Sequence, residues 1–375
     1  MKRRLLCLLL TFAFAKAGIA QELPATYQFT DSIDLETSAV ISQGNTGTCW
    51  SFSTVSFLES EVMRISGKRV DLSEMYHVRQ TYPAKAQNYI MRQGTAQFDQ
   101  GGLAHDVIET VSTYGLVPQS AYTGLSAVEL THNHAELVAV LKAMLDVYVS
   151  NPARTLSPKW RTAINSVLDV YLGEVITSFS WNGQQYTPKE FASFLQIDPS
   201  AYISLTSFTH KPYYQPFILN IPDNFSNGTF YNLPLDEFVK TIDHALQQGY
   251  TLTLDCDVSE LSFSAKQGVA VLPASNDNPK MAVLGPAKEK TVTAQFRQEE
   301  FENYNTTDDH LMHITGMAKD QHGNVYYKVK NSWGTDPLRT KYDGYLYMSQ
   351  AYLKAKAISV MMHRSGLEEA TSKKL

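Results

Sequence analysis

The sequence predicts an α+β fold in two lobes, a helical lobe built by the first third of the chain and a β-rich lobe built by the last. Three observations carry this reading. Phe52, Val55, Leu58, Val62 and Ile65 recur at three- and four-residue steps until Gly67 stops the pattern, which is the period of an amphipathic helix. Strand-like runs, at 250–258, 310–316, 325–330 and 357–362, gather toward the end of the chain. A length of 375 residues is enough for two lobes around a cleft, or for one domain with a large insertion.

Taken in order, residues 1–20 join Lys2, Arg3 and Arg4 to an apolar run from Leu5 to Ala15 and then to Gly18, Ile19 and Ala20. This is the pattern of a secretory signal peptide. The apolar run is too short for a span of about 20 residues, so no stable membrane insertion is expected, and the mature protein is expected in a periplasm or outside the cell. Loss of Lys2, Arg3, Arg4 and Lys16 makes a net charge of −5 more negative still, which argues against nucleic acid as a partner. Cys49 and Cys256 then remain, too few for a disulfide scaffold, and Cys256 reads as structural. The ends, 21–34 and 366–375, read as loose.

The first helix begins at Cys49, where unpaired N–H groups and the macrodipole favour a thiolate. A second helix follows Val70, and a third runs over 104–114 to Gly115. Between about Tyr122 and Tyr231 the pattern gives helices at 135–145 and 160–172, and a capping box with proline at the first helical position, Thr187-Pro188-Lys189-Glu190. Short strands follow among long connections. The stripe Leu235, Phe238, Val239, Ile242 and Leu246 makes a further helix, ended by Gly249.

Two segments carry candidate chemistry. The first is Gln43-Gly44-Asn45-Thr46-Gly47-Thr48-Cys49-Trp50, with a glutamine six residues before a helix-start cysteine. The second is Asp308-Asp309-His310 followed by Gly316, with Asn331-Ser332-Trp333-Gly334 closing the next strand. Alternation along a strand places His310 with Met312 and Ile314, and turns His313 to the other side. Histidines that face apart make poor co-ligands, so no metal and no cofactor is expected.

In these residues the chain resembles the papain-like cysteine peptidases. Gln43, Cys49, His310 and Asn331 stand at that family's spacings, and Gly101-Gly102 falls where its cleft-lining glycine pair lies. Thr46, in place of the family's usual first cysteine, points to the branch of bleomycin hydrolase and aminopeptidase C. The resemblance implies a two-lobe fold, a helical lobe with a β-barrel-like one, spanning 21–375 with an insertion at about 122–231, because Cys49 and His310 lie 261 residues apart. It further implies peptide substrates and a Cys49, His310 and Asn331 triad. Gln43 would serve the oxyanion, and Gly101, Gly102 and Trp333 would meet the substrate. Aminopeptidase action is the expected reading, with an open-cleft endopeptidase or a catalytically silent peptide-binding protein as alternatives. A homo-oligomer, a hexamer in that branch, is also implied. That branch places its C-terminal segment in the cleft, and the polar ending Glu368 to Leu375 does not resemble that tail.

Overall fold

The computed structural model describes residues 26–151, 153–274 and 277–375. The signal-peptide segment lies outside the described residues. The strand β1 (Phe29–Asp34) precedes three helices, α1 (Cys49–Ser66), α2 (Glu74–Met91) and α3 (Ala104–Tyr114). The segment 122–231 contributes α4 (Ala135–Val149), α5 (Trp160–Leu172), a hairpin β2 (Phe179–Trp181) and β3 (Gln184–Tyr186), α6 (Pro188–Phe194), β4 (Tyr202–Thr206), β5 (Pro216–Ile218) and β6 (Thr229–Asn232). After these come α7 (Leu235–Gln247), β7 (Leu252–Cys256), β8 (Phe263–Ser264), β9 (Val269–Ala270), α8 (Pro279–Ala282) and α9 (Ala294–Glu302). The last part holds β10 (His310–Asp320), β11 (Val325–Lys330), β12 (Tyr345–Ser349), α10 (Gln350–Lys356), β13 (Ala357–His363) and α11 (Glu369–Ser372).

Local chemistry explains the boundaries. Gly67 ends α1 in the left-handed region, where a residue without Cβ is unstrained. The Thr187 side chain accepts from the Glu190 N–H while Glu190 reaches back to Thr187, which starts α6 where the sequence puts it.

The β-rich lobe is one open sheet of eleven strands rather than a closed barrel. Its order is β5-β6-β4-β13-β7-β10-β11-β12-β9-β8, with β1 paired to β10. Strand alternation divides the apolar side chains between two cores. Leu311 and Met361 pack with α1, whereas Met312, Val360 and Met362 pack with α7. The segment 122–231 joins both lobes, since α4 and α5 extend the helical core while β4 pairs with β13.

The described parts of both terminal segments, 26–34 and 366–375, are built into the fold, contrary to their loose reading from sequence. Tyr27 and Phe29 alternate as strand residues do, and Phe29 stacks on Tyr347 with ring centroids 4.0 Å apart. Lys328 Nζ then reaches Asp31 at 3.0 Å and Asp34 at 2.8 Å. At the other end Thr371 Oγ1 donates to Glu237 on α7 at 2.8 Å, Lys374 Nζ reaches the same carboxylate at 3.0 Å, and Leu375 packs on the α7 core. The tail therefore sits across the sheet from α1.

Candidate active site

Cys49 is the first residue of α1 and is 8% exposed. A polar stripe at helical spacing, Cys49, Ser53 and Ser56, forms the seam between α1 and β10. Leu311 N–H approaches the Cys49 sulfur at 3.5 Å, Ser53 Oγ donates to Met312 O at 2.5 Å, and Ser56 Oγ meets His313 Nδ1 at 3.0 Å. Three consecutive residues of β10 are thereby fixed against three turns of α1. That stripe is readable in the sequence as small polar residues four and seven positions after Cys49 on one helix, a signal the motif-based reading passes over.

His310 opens β10 and Asn331 follows β11, so antiparallel pairing of the two strands brings them together. His310 Nε2 lies 2.8 Å from Asn331 Oδ1. Asn331 Oδ1 also accepts the Ser332 backbone N–H at 2.7 Å, which fixes the amide with its oxygen toward the histidine. Nε2 must then carry the hydrogen. The other ring nitrogen, Nδ1, is the basic one in the neutral imidazole. Trp333 covers the His310 ring at 4.8 Å between centroids. Gly316, six residues along β10, meets β1 at Ile33, whose carbonyl oxygen lies 2.1 Å from where a Cβ would stand. That close approach accounts for a glycine at this interval.

The loop before Cys49 is tied to the same strand end. Gln43 N–H donates to Ser332 O at 2.9 Å, and Ser332 Oγ donates to Gln43 Oε1 at 2.5 Å. Gln43 Nε2 donates one hydrogen to Thr46 O at 2.6 Å, and its second N–H remains to be used. Gln100, which the sequence reading does not single out, links this loop to the glycine pair. Its side chain accepts from Gly47 N at 2.7 Å and its carbonyl from Trp50 Nε1 at 3.0 Å. A Cβ on Gly102 would stand 3.0 Å from the Trp50 ring. Gln43, Cys49, Gly101, Gly102, His310, Asn331 and Trp333 thus belong to one connected site.

The Peptidase C1-like family profile matches residues 12–375. The chain belongs to that family. It is a cysteine-type peptidase. Aminopeptidase C of Listeria innocua serovar 6a is 24% identical over 92% of this chain and 84% of its own length. Aminopeptidase C of Lactococcus lactis subsp. cremoris is 22% identical over 90% of this chain and 83% of its own. The crystal structure of PepW from Lactobacillus rhamnosis superposes with a TM-score of 0.74 at 19% identity, covering 92% of this chain and 84% of that one. The fold is thus papain-like, carried here by an open sheet.

Burial governs the peptidase's protonation. It pushes the Cys49 thiol up to about 12, helped by the nearby carboxylates of Asp223, Asp308 and Asp255 and opposed by the Leu311 N–H. It also pushes His310 down to about 4, opposed by the Asn331 contact. Each charge taken alone is disfavoured, so the helix-terminus argument for a free thiolate is outweighed by desolvation in the unliganded site. Cys256 is fully buried and donates to Asp257 O at 3.2 Å. His313 takes no part in the His310 contact.

A cavity of about 520 Å³ has neither Cys49 nor His310 in its wall. It lies beside the seam, lined by Ser56, Glu59, Glu74, His313 and Lys330 among others. Lys330 Nζ donates there to Ser56 Oγ at 2.8 Å and Ser38 Oγ at 3.0 Å, and Asn331 and Ser332 border the cavity on the side of the site. No group of three or more His, Cys, Asp or Glu among the described residues could hold a metal ion.

Proposed function

We propose that the protein is an aminopeptidase that releases N-terminal residues from peptides through a Cys49, His310 and Asn331 triad. The observation that carries this reading is the 2.8 Å contact of His310 with an Asn331 amide whose orientation is fixed, beside a helix-start cysteine within reach of Leu311 N–H. His310 Nδ1 takes the Cys49 proton as the sulfur attacks the peptide carbonyl, and returns it to the leaving amine. The thiolate and imidazolium form together, so each offsets the cost that burial places on the other alone. The free N–H of Gln43 and the Cys49 backbone N–H receive the oxyanion, where a single donor is typically worth about 3 kcal/mol. Water then hydrolyses the acyl-enzyme with His310 as base. Asn331 holds the ring, and Trp333 screens that contact from water.

Release of N-terminal residues is supported by the relatives named aminopeptidase C, which align over nine-tenths of the chain. An open-cleft endopeptidase is the second reading, favoured by the docking of the tail on α7. The signal-peptide-like sequence pattern of residues 1–20 supports export of the enzyme. The test is hydrolysis of matched fluorogenic peptides with free and acetylated N-termini, in reducing buffer, by the mature protein and by Cys49→Ala. Cleavage of free-amine substrates alone, lost in the variant, is the expected result. Equal cleavage of both would make it an endopeptidase, and turnover by Cys49→Ala would refute the mechanism.

A further inference from the structure

The tail is across the sheet from α1, so something else must stop a peptide from threading past Cys49 if single residues are to be released. The segment 122–231 supplies a candidate. Both carboxylate oxygens of Asp223 lie against Gly101, since a Cβ there would stand 1.9 Å from Oδ2 and 2.5 Å from Oδ1. Gln97 Nε2 holds Oδ1 at 3.0 Å. The Gly101 carbonyl is itself engaged by Lys85 Nζ. A substrate strand laid along Gly101 would therefore meet a carboxylate where its backbone should pass, and an acceptor already in use.

Among the described residues the Asp223 carboxylate makes no ion pair, and its side-chain hydrogen bond comes from Gln97. Asp255 is 1% exposed, and its carboxyl is hydrogen-bonded to that of Asp308, with burial raising both. Asp223, Asp255 and Asp308 act electrostatically on one another and on Cys49. Two cations lie near them, and both direct their hydrogen bonds to carbonyls. Lys85 donates to Gly101 O, and Arg297 donates to Ser207, Lys354 and Ile358 O. Asp223 thus keeps a carboxylate at Gly101 while the neighbouring cation, Lys85, spends its hydrogen bond on the Gly101 carbonyl. In a peptide whose first carbonyl faces Cys49, the α-ammonium nitrogen lies about 2.5 Å from that carbonyl carbon. It is the one cationic group that every such substrate brings to this place.

We propose that Asp223, backed by Asp308 and Asp255, is the anchor for the substrate's α-ammonium and the barrier to any residue before it. The inference rests on the aminopeptidase reading and assigns its specificity to the segment 122–231. A carboxylate is the natural partner, because a charge-assisted hydrogen bond rewards the free amine and an acylated amine loses it.

The experiment compares a leucyl anilide with its desamino isostere, a 4-methylpentanoyl anilide, and with N-acetyl-leucyl anilide. In the wild type the free-amine substrate should lead by at least about 100-fold in kcat/KM. Asp223→Asn keeps the volume and removes the charge, and should cut that lead by about 10- to 100-fold, chiefly through KM. Asp223→Ala should in addition admit a dipeptidyl anilide. Were Asp223→Asn unable to fold, Asp308→Asn measured the same way carries the test, with a smaller loss expected. A wild type indifferent to the amine would refute the aminopeptidase reading itself. A wild type that prefers the amine, with that preference and KM unchanged in a folded variant, would overturn the Asp223 assignment alone.

Discussion

Replacing Asn331 by alanine removes the acceptor of two hydrogen bonds at once, and the consequences for rate and for stability can be worked separately. The bond to His310 Nε2, 2.8 Å long, holds the ring in the tautomer that leaves Nδ1 basic and strengthens as the imidazolium forms. A hydrogen bond to a charged group is worth about 1.5–3 kcal/mol, so kcat/KM should fall about 10- to 150-fold. The bond from Ser332 N–H, 2.7 Å long, is internal to the strand end. Its loss leaves a buried donor unpaired and should cost about 1–3 kcal/mol of folding stability. The assay pairs initial rates on a leucyl anilide at pH 7 with urea denaturation of the same samples, and thiol titration gives the fraction of active Cys49. A folded Asn331→Ala with less than a threefold loss of kcat/KM would refute the orienting role of Asn331.

Other expectations follow from the same coordinates. Cys256→Ala should retain peptidase activity, whereas Cys49→Ala should lose it, and similar losses in both would remove the distinction drawn between the two thiols. Truncation after Ser365 should lower the melting temperature, since Leu367 and Thr371 are buried, yet leave the preference for free amino termini intact. A truncated enzyme that gained action on acetylated peptides would restore the tail as the determinant. His77 is fully buried, its Nδ1 is bonded to Thr110 at 2.6 Å, its Nε2 has no partner among the described residues, and burial pushes it down to about 3. Its folded pKa is depressed, so the folded state binds fewer protons than the unfolded one below pH 6.5. Stability is full above that value and is lost as pH falls toward 3, by about 2 kcal/mol between 6.5 and 5. In urea titrations at pH 7 and 5, His77→Leu should shrink that difference, and an unchanged difference would assign the acid sensitivity elsewhere.

What sequence conveyed well was local and periodic. The bounds of α1, α3 and α5 follow from helical apolar stripes and glycine stops, and the strand carrying His310 follows from its run of alternating residues. What it could not convey was which surfaces meet. Whether the last strands close into a barrel depends on edge pairings between β4 and β13 and between β9 and β12, separated widely along the chain and invisible to any window. The termini were misread for a related reason. Tyr27 and Phe29 gain their burial from Tyr326 and Tyr347, and Lys374 gains its partner from Glu237, so neither segment carries its own evidence of order. At the site, the motif residues were readable because their chemistry is unusual for their positions. Gln100 and Asp223 were not, since an isolated polar residue in a loop reads as solvated surface until its neighbour is known.

The electrostatics of the site connect its parts. Asp223, Asp308 and Asp255 all oppose ionisation of Cys49, on top of the cost of burial. Burial raises all three, Asp223 to about 6 and Asp308 to about 7, and the surplus of negative charge that remains beside the nucleophile penalises the thiolate while the cleft is empty. A substrate ammonium seated against Asp223 would cancel part of that surplus, lowering the cost of the thiolate at the moment a carbonyl is in place to receive it. Specificity for a free amine would then reside in kcat as well as in KM, because the acylated substrate both loses the anchor and leaves the thiol suppressed. The measurement is the rate of Cys49 alkylation by iodoacetamide at pH 7. It should rise when leucinamide is added and not when N-acetyl-leucinamide is, and in Asp223→Asn the leucinamide effect should vanish. Protection by leucinamide in place of acceleration would mean that the amine blocks access to the sulfur without tuning it.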